Sequence, residues 1–425
     1  MIQEYPALGE RLYKQVLPNG LTVRVVPRPG FQRKLAYFVA DYGSVHQNFL
    51  LEGEQHHVPA GVAHFLEHKM FELPGRDVTE EFAALGAQVN AFTSYDMTAY
   101  YFSCTEHFEE SLSLLLEFVS TTWFPEESVQ REMGIIDQEI GMNEDTPESR
   151  VFENLMEAMY VTHPIRVPIL GTAASIREIT PQTLEQCHRA FYSPANMILC
   201  VVGDVSGERV SAIARQVLGD EPKPKPEKMR HWPEKMTCRT EVRSSMEVAM
   251  PMFQLAFKCE PCDRGEEAIR QEIIGDLAAE ALFGEASALY LRLYEEGLID
   301  GSFGGGFETV DGCAMLSCGG DSDYPVQVRD ALLSAAQELC RAGIPQEDFL
   351  RMKRSAMGRR VRSLDSFDST AFRICAYHFA DFDYFTFPGL YADIRAEEIL
   401  SFINRVVDAD RCALSIIEPK EENHE

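Results

Sequence analysis

Apolar positions along the chain switch repeatedly between the alternation that suits strands and the three-to-four spacing that suits helices. Lys34–Asp41, Thr98–Cys104 and Met197–Val202 read as strands in the first half, and Met252–Lys258, Cys313–Cys318 and Cys412–Ile417 in the second. Helical spacing fills the gaps: Ala63–Phe71, Glu109–Ser120 and Glu126–Met142, then Glu267–Leu282, Val326–Ala342 and Gln346–Leu364. A polar stretch, Glu221-Pro-Lys-Pro-Lys-Pro-Glu-Lys228, divides the two series, and its alternating prolines suit an extended linker. Each half therefore runs strand, helix, strand, two helices and a closing strand. The matched order predicts an α+β fold of two homologous domains, each a mostly antiparallel sheet packed against helices on one face. The expected boundaries are 1–220 for the first domain, 221–235 for the linker and 236–425 for the second domain.

Composition narrows the class. The 425 residues hold 39 Lys or Arg against 67 Asp or Glu, a net charge of −28, which argues against nucleic acid or an anionic membrane as partner. With 45% hydrophobic and 25% charged residues, the chain has the ordinary globular mix. No apolar run is long enough for a membrane helix, and the start, Met1-Ile-Gln-Glu-Tyr-Pro6, lacks a signal-peptide profile. Eleven scattered cysteines read as free thiols in a reducing compartment, so a cytoplasmic location is expected.

The most specific chemical signal is His64-Phe-Leu-Glu-His68 within a helical pattern. At 3.6 residues per turn, positions 64, 67 and 68 share a face, so two imidazoles and a carboxylate converge. Two neutral imidazoles suit zinc, and Glu67 is placed to act as general base on a water. This order of residues is the inverzincin pattern, the reverse of the commoner zincin motif. A third protein ligand is needed, and the helix after Pro125 offers Glu132, Asp137 and Glu139, followed by Glu144 and Asp145. Its apolar stripe is Val129, Met133, Ile136 and Ile140; Glu132 and Glu139 lie along one edge of that stripe, whereas Asp137 points elsewhere.

These residues resemble the pitrilysin/insulinase group of zinc metallopeptidases. The marks are Gly61-Val-Ala-His-Phe-Leu-Glu-His68, Leu85-Gly-Ala-Gln-Val-Asn-Ala-Phe-Thr-Ser94 and Glu132-Met-Gly-Ile-Ile-Asp-Gln-Glu139. His163-Pro, Leu170-Gly-Thr172, Ser175–Thr180 and Ala195–Asp204 extend the likeness through the first half. It is strongest to bacterial single-unit members associated with 5-aminopentanol modification of elongation factor P and accompanied by a sister lacking the metal motif. The resemblance implies half of an insulinase-like clamshell, with His64, His68 and Glu139 as Zn2+ ligands and Glu67 as general base. It further implies that Glu132 orients the site, and that Asn90, Ala91, Phe92 and Thr93 form an edge strand on which an extended peptide pairs. The implied activity is zinc-dependent endopeptidase cleavage, or peptide processing, of small or unfolded peptides in a closing chamber. The alternative is an accessory or structural subunit in elongation factor P maturation with little protease activity.

One departure bears on partners. Active members of the group place an Arg and a Tyr in the second domain, the Tyr just after a Gly-Leu pair. Here Leu291-Arg-Leu-Tyr-Glu-Glu-Gly-Leu-Ile-Asp300 puts Asp300 where the Tyr is expected and leaves the Arg register between Arg292 and Tyr294. A heterodimer with the metal-free sister is the expected assembly, with a homodimer as the alternative.

Four other signals carry blander readings. Cys259-Glu-Pro-Cys262 has thioredoxin-like spacing but no matching helix motif. Gly301-Ser-Phe-Gly-Gly-Gly-Phe307 lacks the Gly-Lys-Ser/Thr of a phosphate loop and reads as a close backbone approach, a bulge or a mobile segment. His56-His57 are adjacent, and neighbours in a strand or helix do not face one site. Arg351–Arg362 is a basic island, read as a solvated helix face, or else as a contact for an acidic partner or substrate terminus.

Overall fold

The computed structural model describes residues 1–261 and 264–420. They form two compact units, each built from segments distant in sequence. The first comprises Met1–Ile140, Pro168–Arg230 and Val361–Phe387; the second comprises Gly141–Val167, the described part of His231–Arg360 and the described residues from Pro388 onward.

In chain order the strands begin with β1 (Ile2–Tyr5), β2 (Glu10–Val16), β3 (Thr22–Pro27) and β4 (Lys34–Ala40). A small hairpin, β5 (Asn48–Leu51) and β6 (Glu54–His57), leads to helix α1 (Val62–Met70), the two-residue strands β7 (Glu72–Leu73) and β8 (Arg76–Asp77), and α2 (Val78–Ala84). Next come β9 (Gln88–Thr93), β10 (Thr98–Cys104), α3 (Phe108–Ser120), α4 (Glu126–Glu144) and α5 (Pro147–Met159). They are followed by α6 (Pro181–Phe191), β11 (Met197–Gly203), α7 (Gly207–Leu218) and β12 (Glu227–Lys228). The later elements are β13 (Glu241–Met246), β14 (Met252–Lys258), α8 (Glu266–Phe283), α9 (Ala288–Glu295), β15 (Gly304–Val310) and β16 (Cys313–Asp321). The last described elements are α10 (Pro325–Ala342), α11 (Gln346–Ser363), α12 (Phe367–Phe379), α13 (Phe387–Asp393), α14 (Ala396–Val406) and β17 (Cys412–Pro419).

The duplication is explicit in the sheets. The first has the order β1-β2-β3-β11-β4-β10-β9 and the second β13-β17-β14-β16-β15. Aligning β3-β11-β4-β10-β9 with the second sheet matches every neighbour. In each, the first pair is parallel, β3 with β11 and β13 with β17, and the remaining pairs are antiparallel. The fold is thus α+β with two similar domains, as the sequence pattern predicts.

Burial explains why these segments become strands. Ala36, Phe38 and Ala40 of β4 join Leu199 and Val201 of β11 in one apolar cluster with Phe65 and Leu66 of α1 and Leu112, Leu115 and Val119 of α3. Each fully buried Leu or Phe contributes roughly 1.5–3 kcal/mol. The intervening residues Leu35, Tyr37, Val39, Ile198, Cys200 and Val202 are buried too. The expectation of helices on one face is therefore corrected: α12, from the far end of the sequence, lies against β4 and β11, with Cys375 beside Cys200. A strand apolar at every position needs cover on both sides, and β11 is such a strand. The second sheet receives a distant helix in the same way, α5 lying against β13, β14 and β17.

The blander readings meet specific contacts. In the basic island, Arg360 is buried against Glu272 and Asp276 of α8, Arg359 pairs with Glu280, and Lys353 Nζ donates to the carbonyls of Ala392 and Ile394. Gly305 in β15 faces the β16 backbone so closely that a Cβ there would lie 2.1 Å from the Ser317 carbonyl oxygen. Ten cysteines are free among the described residues; Cys259 is buried, and Cys262 lies outside the described residues. No helix among the described residues is long and apolar enough to cross a membrane.

Candidate metal centre

Helix α1 begins at Gly61, whose φ of 92° is readily adopted by glycine and whose hydrogen faces the Leu170 carbonyl; a Cβ would lie 2.5 Å from that oxygen. Val62, Phe65, Leu66 and Met70 enter the core, which leaves His64, Glu67 and His68 along the other side of the helix. His68 and Lys69 occupy the last turn, where positive charge is favoured by the helix dipole. Helix α4 buries Ser128, Val129, Ile136 and Ile140, and the edge of that stripe carries Glu132 and Glu139 toward α1.

Three side chains meet at one point. His64 Nε2 is 3.6 Å from Glu139 Oε1, and His68 Nε2 is 3.6 Å from Glu139 Oε2. One ligand atom from each of the three lies within 4.8 Å of the others, the one such grouping found among the described residues. Bonds of about 2.0–2.2 Å in a tetrahedral array separate neighbouring ligand atoms by roughly 3.3–3.6 Å, so this donor set fits a zinc ion with one position left open. Glu132 does not join the cluster: it accepts from His68 Nδ1 at 3.0 Å. A carboxylate can only accept, so Nδ1 carries the proton and a neutral His68 presents its lone pair at Nε2. Asp137, Glu144 and Asp145 are exposed and outside the cluster.

The electrostatics follow from burial and these bonds. Burial, then the neighbouring His68, pushes the His64 imidazole down to about 4, so it stays neutral and available as a donor. The bond to Glu132 raises His68 above its ordinary value. Burial raises Glu67, partly opposed by a hydrogen bond from Thr93 Oγ1 to Glu67 Oε2 at 2.7 Å. This bond has no counterpart in the sequence reading, which places Thr93 in a peptide-pairing strand; nothing in sequence spacing marks a residue 26 positions away as a partner of Glu67.

Asn90, Ala91, Phe92 and Thr93 lie in β9, the outermost strand of the first sheet. The Asn90 side-chain oxygen accepts from the Ala91 amide at 2.8 Å, occupying that donor on the strand. In the second unit, Asp300 is exposed and accepts from the Ser302 amide and hydroxyl, and Arg292 and Tyr294 are exposed on α9, Tyr294 stacking on Tyr290. His56 and His57 sit in β6 and bond to Gln186 and Asn48, respectively, away from the metal cluster.

Comparison with known proteins agrees with this architecture. Residues 54–173 match the family described as insulinase, peptidase family M16, and residues 178–356 match the peptidase M16 inactive domain. YmfH of Bacillus subtilis (strain 168), described as an uncharacterized zinc protease, is 37% identical over 427 residues, covering 98% of this chain and 99% of its own. A crystal structure described as that of an M16-like peptidase from Alicyclobacillus acidocaldarius superposes with a TM-score of 0.93 at 31% identity, over 97% of this chain and 99% of that one. A protease from Helicobacter pylori shares the fold at a TM-score of 0.82 and 18% identity, over 96% of this chain and 100% of that one. With the likeness running along almost its whole length, the chain belongs to the insulinase family of peptidases, family M16.

Proposed function

We propose that the chain is a zinc-dependent endopeptidase, or the metal-bearing subunit of one, that cleaves small or unfolded peptides. The observation that carries this reading is the pair of 3.6 Å approaches from two imidazoles to the two oxygens of one carboxylate, with a second carboxylate, Glu67, on the helix face that bears both imidazoles. His64, His68 and Glu139 would hold the ion, and the name of the B. subtilis relative supports zinc. When bound, zinc supplies Lewis acidity that makes water nucleophilic near neutral pH.

The chain's own residues do the rest. Glu67, held through Oε2 by Thr93, takes the proton of the attacking water on its other oxygen and passes it to the leaving amine. Its raised pKa improves the match between base and reaction at neutral pH. Glu132 keeps the His68 proton on Nδ1 and thereby fixes the ring's orientation. The outer edge of β9, apart from the Ala91 amide that Asn90 engages, pairs with an extended substrate through main-chain hydrogen bonds, which gives grip with little side-chain selectivity. Arg and Tyr donors to the substrate carbonyl come from a metal-free sister subunit, a reading favoured by Asp300, whose carboxylate is engaged by Ser302 in its own turn.

The test compares wild type with Glu67→Gln for cleavage of a quenched fluorescent peptide, each with and without the sister. Wild type paired with the sister should cleave, and the variant should retain zinc but lose about 10²–10⁴-fold in rate. An unchanged rate in the variant refutes the mechanism. Zinc binding without cleavage in any combination favours the second reading, an accessory subunit in elongation factor P maturation; the match of residues 178–356 to an inactive domain supports its non-catalytic part alone.

A further inference from the structure

Lys69, the residue after His68, is fully buried. An unpaired ammonium in that position would carry a desolvation cost of several kcal/mol, so its partners are informative. Its Nζ donates to the Glu72 carboxylate, just beyond α1, and to the Ser128 hydroxyl on α4. Ser128 in turn donates to Glu72, and Arg131 Nη2 lies 2.7 Å from Glu72 Oε1 and 3.2 Å from Ser128 Oγ. The Ser128 hydroxyl thus gives its one proton and fills both lone pairs.

The position of this network gives it a role. Ser128 precedes Glu132 by one helical turn and Glu139 by about three, so all three share a face of α4. Lys69 adjoins His68. The backbone of α1 lies against α6, β7, β9 and β10, while the bonds described between α1 and α4 are made by side chains. An apolar side chain would satisfy burial at position 69, but it could not donate across to Ser128 on α4 or to Glu72 on the α1 side, which Ser128 also reaches.

We propose that Lys69 and Ser128 form a buried clamp that fixes α4 against α1 and so places Glu139 and the Glu132–His68 pair for metal binding. The clamp rests on the reading of His64, His68 and Glu139 as zinc ligands. Both residues are positioning residues, acting through the ligands.

The experiment titrates zinc into the metal-free full chain against a chromophoric chelator. Lys69→Met, Lys69→Arg and Ser128→Ala are compared with Lys258→Met as a stability control. Lys258 is also buried, but in the second unit, over the Tyr160 ring at 4.4 Å and bonded to the Met236 carbonyl. Disturbing ligand support commonly weakens metal affinity about 10–100-fold; Lys69→Met should reach that range and Ser128→Ala its lower end. Lys258→Met should lower the melting temperature yet leave zinc affinity within about twofold. Lys69→Arg, which keeps a charged donor, should stay nearer to wild type than Lys69→Met; should Lys69→Met fail to fold, Ser128→Ala carries the comparison. Unchanged zinc affinity in folded Lys69→Met or Ser128→Ala overturns the proposal, as does equal weakening by Lys258→Met. Wild type that takes up no zinc refutes the underlying ligand assignment instead, a result visible before any variant is compared.

Discussion

Replacing Thr93 with Val keeps the side chain's shape and removes one hydroxyl, so it isolates the bond to Glu67. That bond is 2.7 Å long and reaches a carboxylate whose pKa burial already raises. A hydrogen bond to a charged group contributes about 1.5–3 kcal/mol, which corresponds to a factor of roughly 10–100 if it is spent on orienting the base. We expect kcat to fall by about that factor with KM nearly unchanged, because the β9 main chain proposed to grip the peptide is untouched. The pH profile supplies a second readout. Thr93 lowers the Glu67 pKa, so its removal moves the acid limb of kcat/KM toward higher pH. Thr93→Ser should restore both. Peptide cleavage measured from pH 5.5 to 8.5 in the zinc-loaded assembly tests this; a Thr93→Val enzyme with wild-type kcat and an unmoved acid limb refutes the role given to Thr93.

Three further outcomes are expected. His68 is raised by its bond to Glu132, so in chelated protein its contribution is fully present below about 6.5 and is lost as pH rises through the folded-state value; thermal melts should show the zinc-induced increment growing from pH 6 to 8.5, and Glu132→Gln should flatten the trend. Burial pushes His163, His188 and His378 down to about 4, so their contribution is present above about 6.5 and disappears as pH falls toward 4; the urea midpoint of chelated protein should drop across that window, and a flat profile would contradict the assignment. In α8, a Cβ at Gly275 would lie 2.2 Å from Phe307 Cγ, so Gly275→Ala should cost about 1–3 kcal/mol in urea unfolding despite alanine's better helix propensity, and a stabilised variant would show that the Phe307 ring moves freely.

Periodicity reveals what local sequence encodes. Thr98–Cys104 and Met252–Lys258 coincide with β10 and β14, because alternation or an apolar run bounded by polar residues is a local property. The partners of α5 and α12 are not local. Each helix crosses to the sheet of the other half of the sequence, and no spacing within Pro147–Met159 or Phe367–Phe379 reports a sheet that lies far away in the chain. β3 and β13 open the matched five-strand order, and each pairs with a parallel partner near the end of its half. At the site, the i, i+3, i+4 spacing places His64, Glu67 and His68 together, and the stripe on α4 selects the edge bearing Glu132 and Glu139. Which of the two approaches the imidazole Nε2 atoms is a matter of how the helices dock: Glu139 does, and Glu132 meets Nδ1. The bonds from Lys69 to Ser128 and from Thr93 to Glu67 are tertiary contacts that no local spacing reports.

The central claim is that His64, His68 and Glu139 hold one zinc ion. Metal content of the purified chain by inductively coupled plasma mass spectrometry, for wild type, His64→Ala and Glu139→Gln, tests it most directly. One zinc per wild-type chain and strong depletion in both variants is the predicted result; wild type without zinc, or variants that retain a full equivalent, would contradict it.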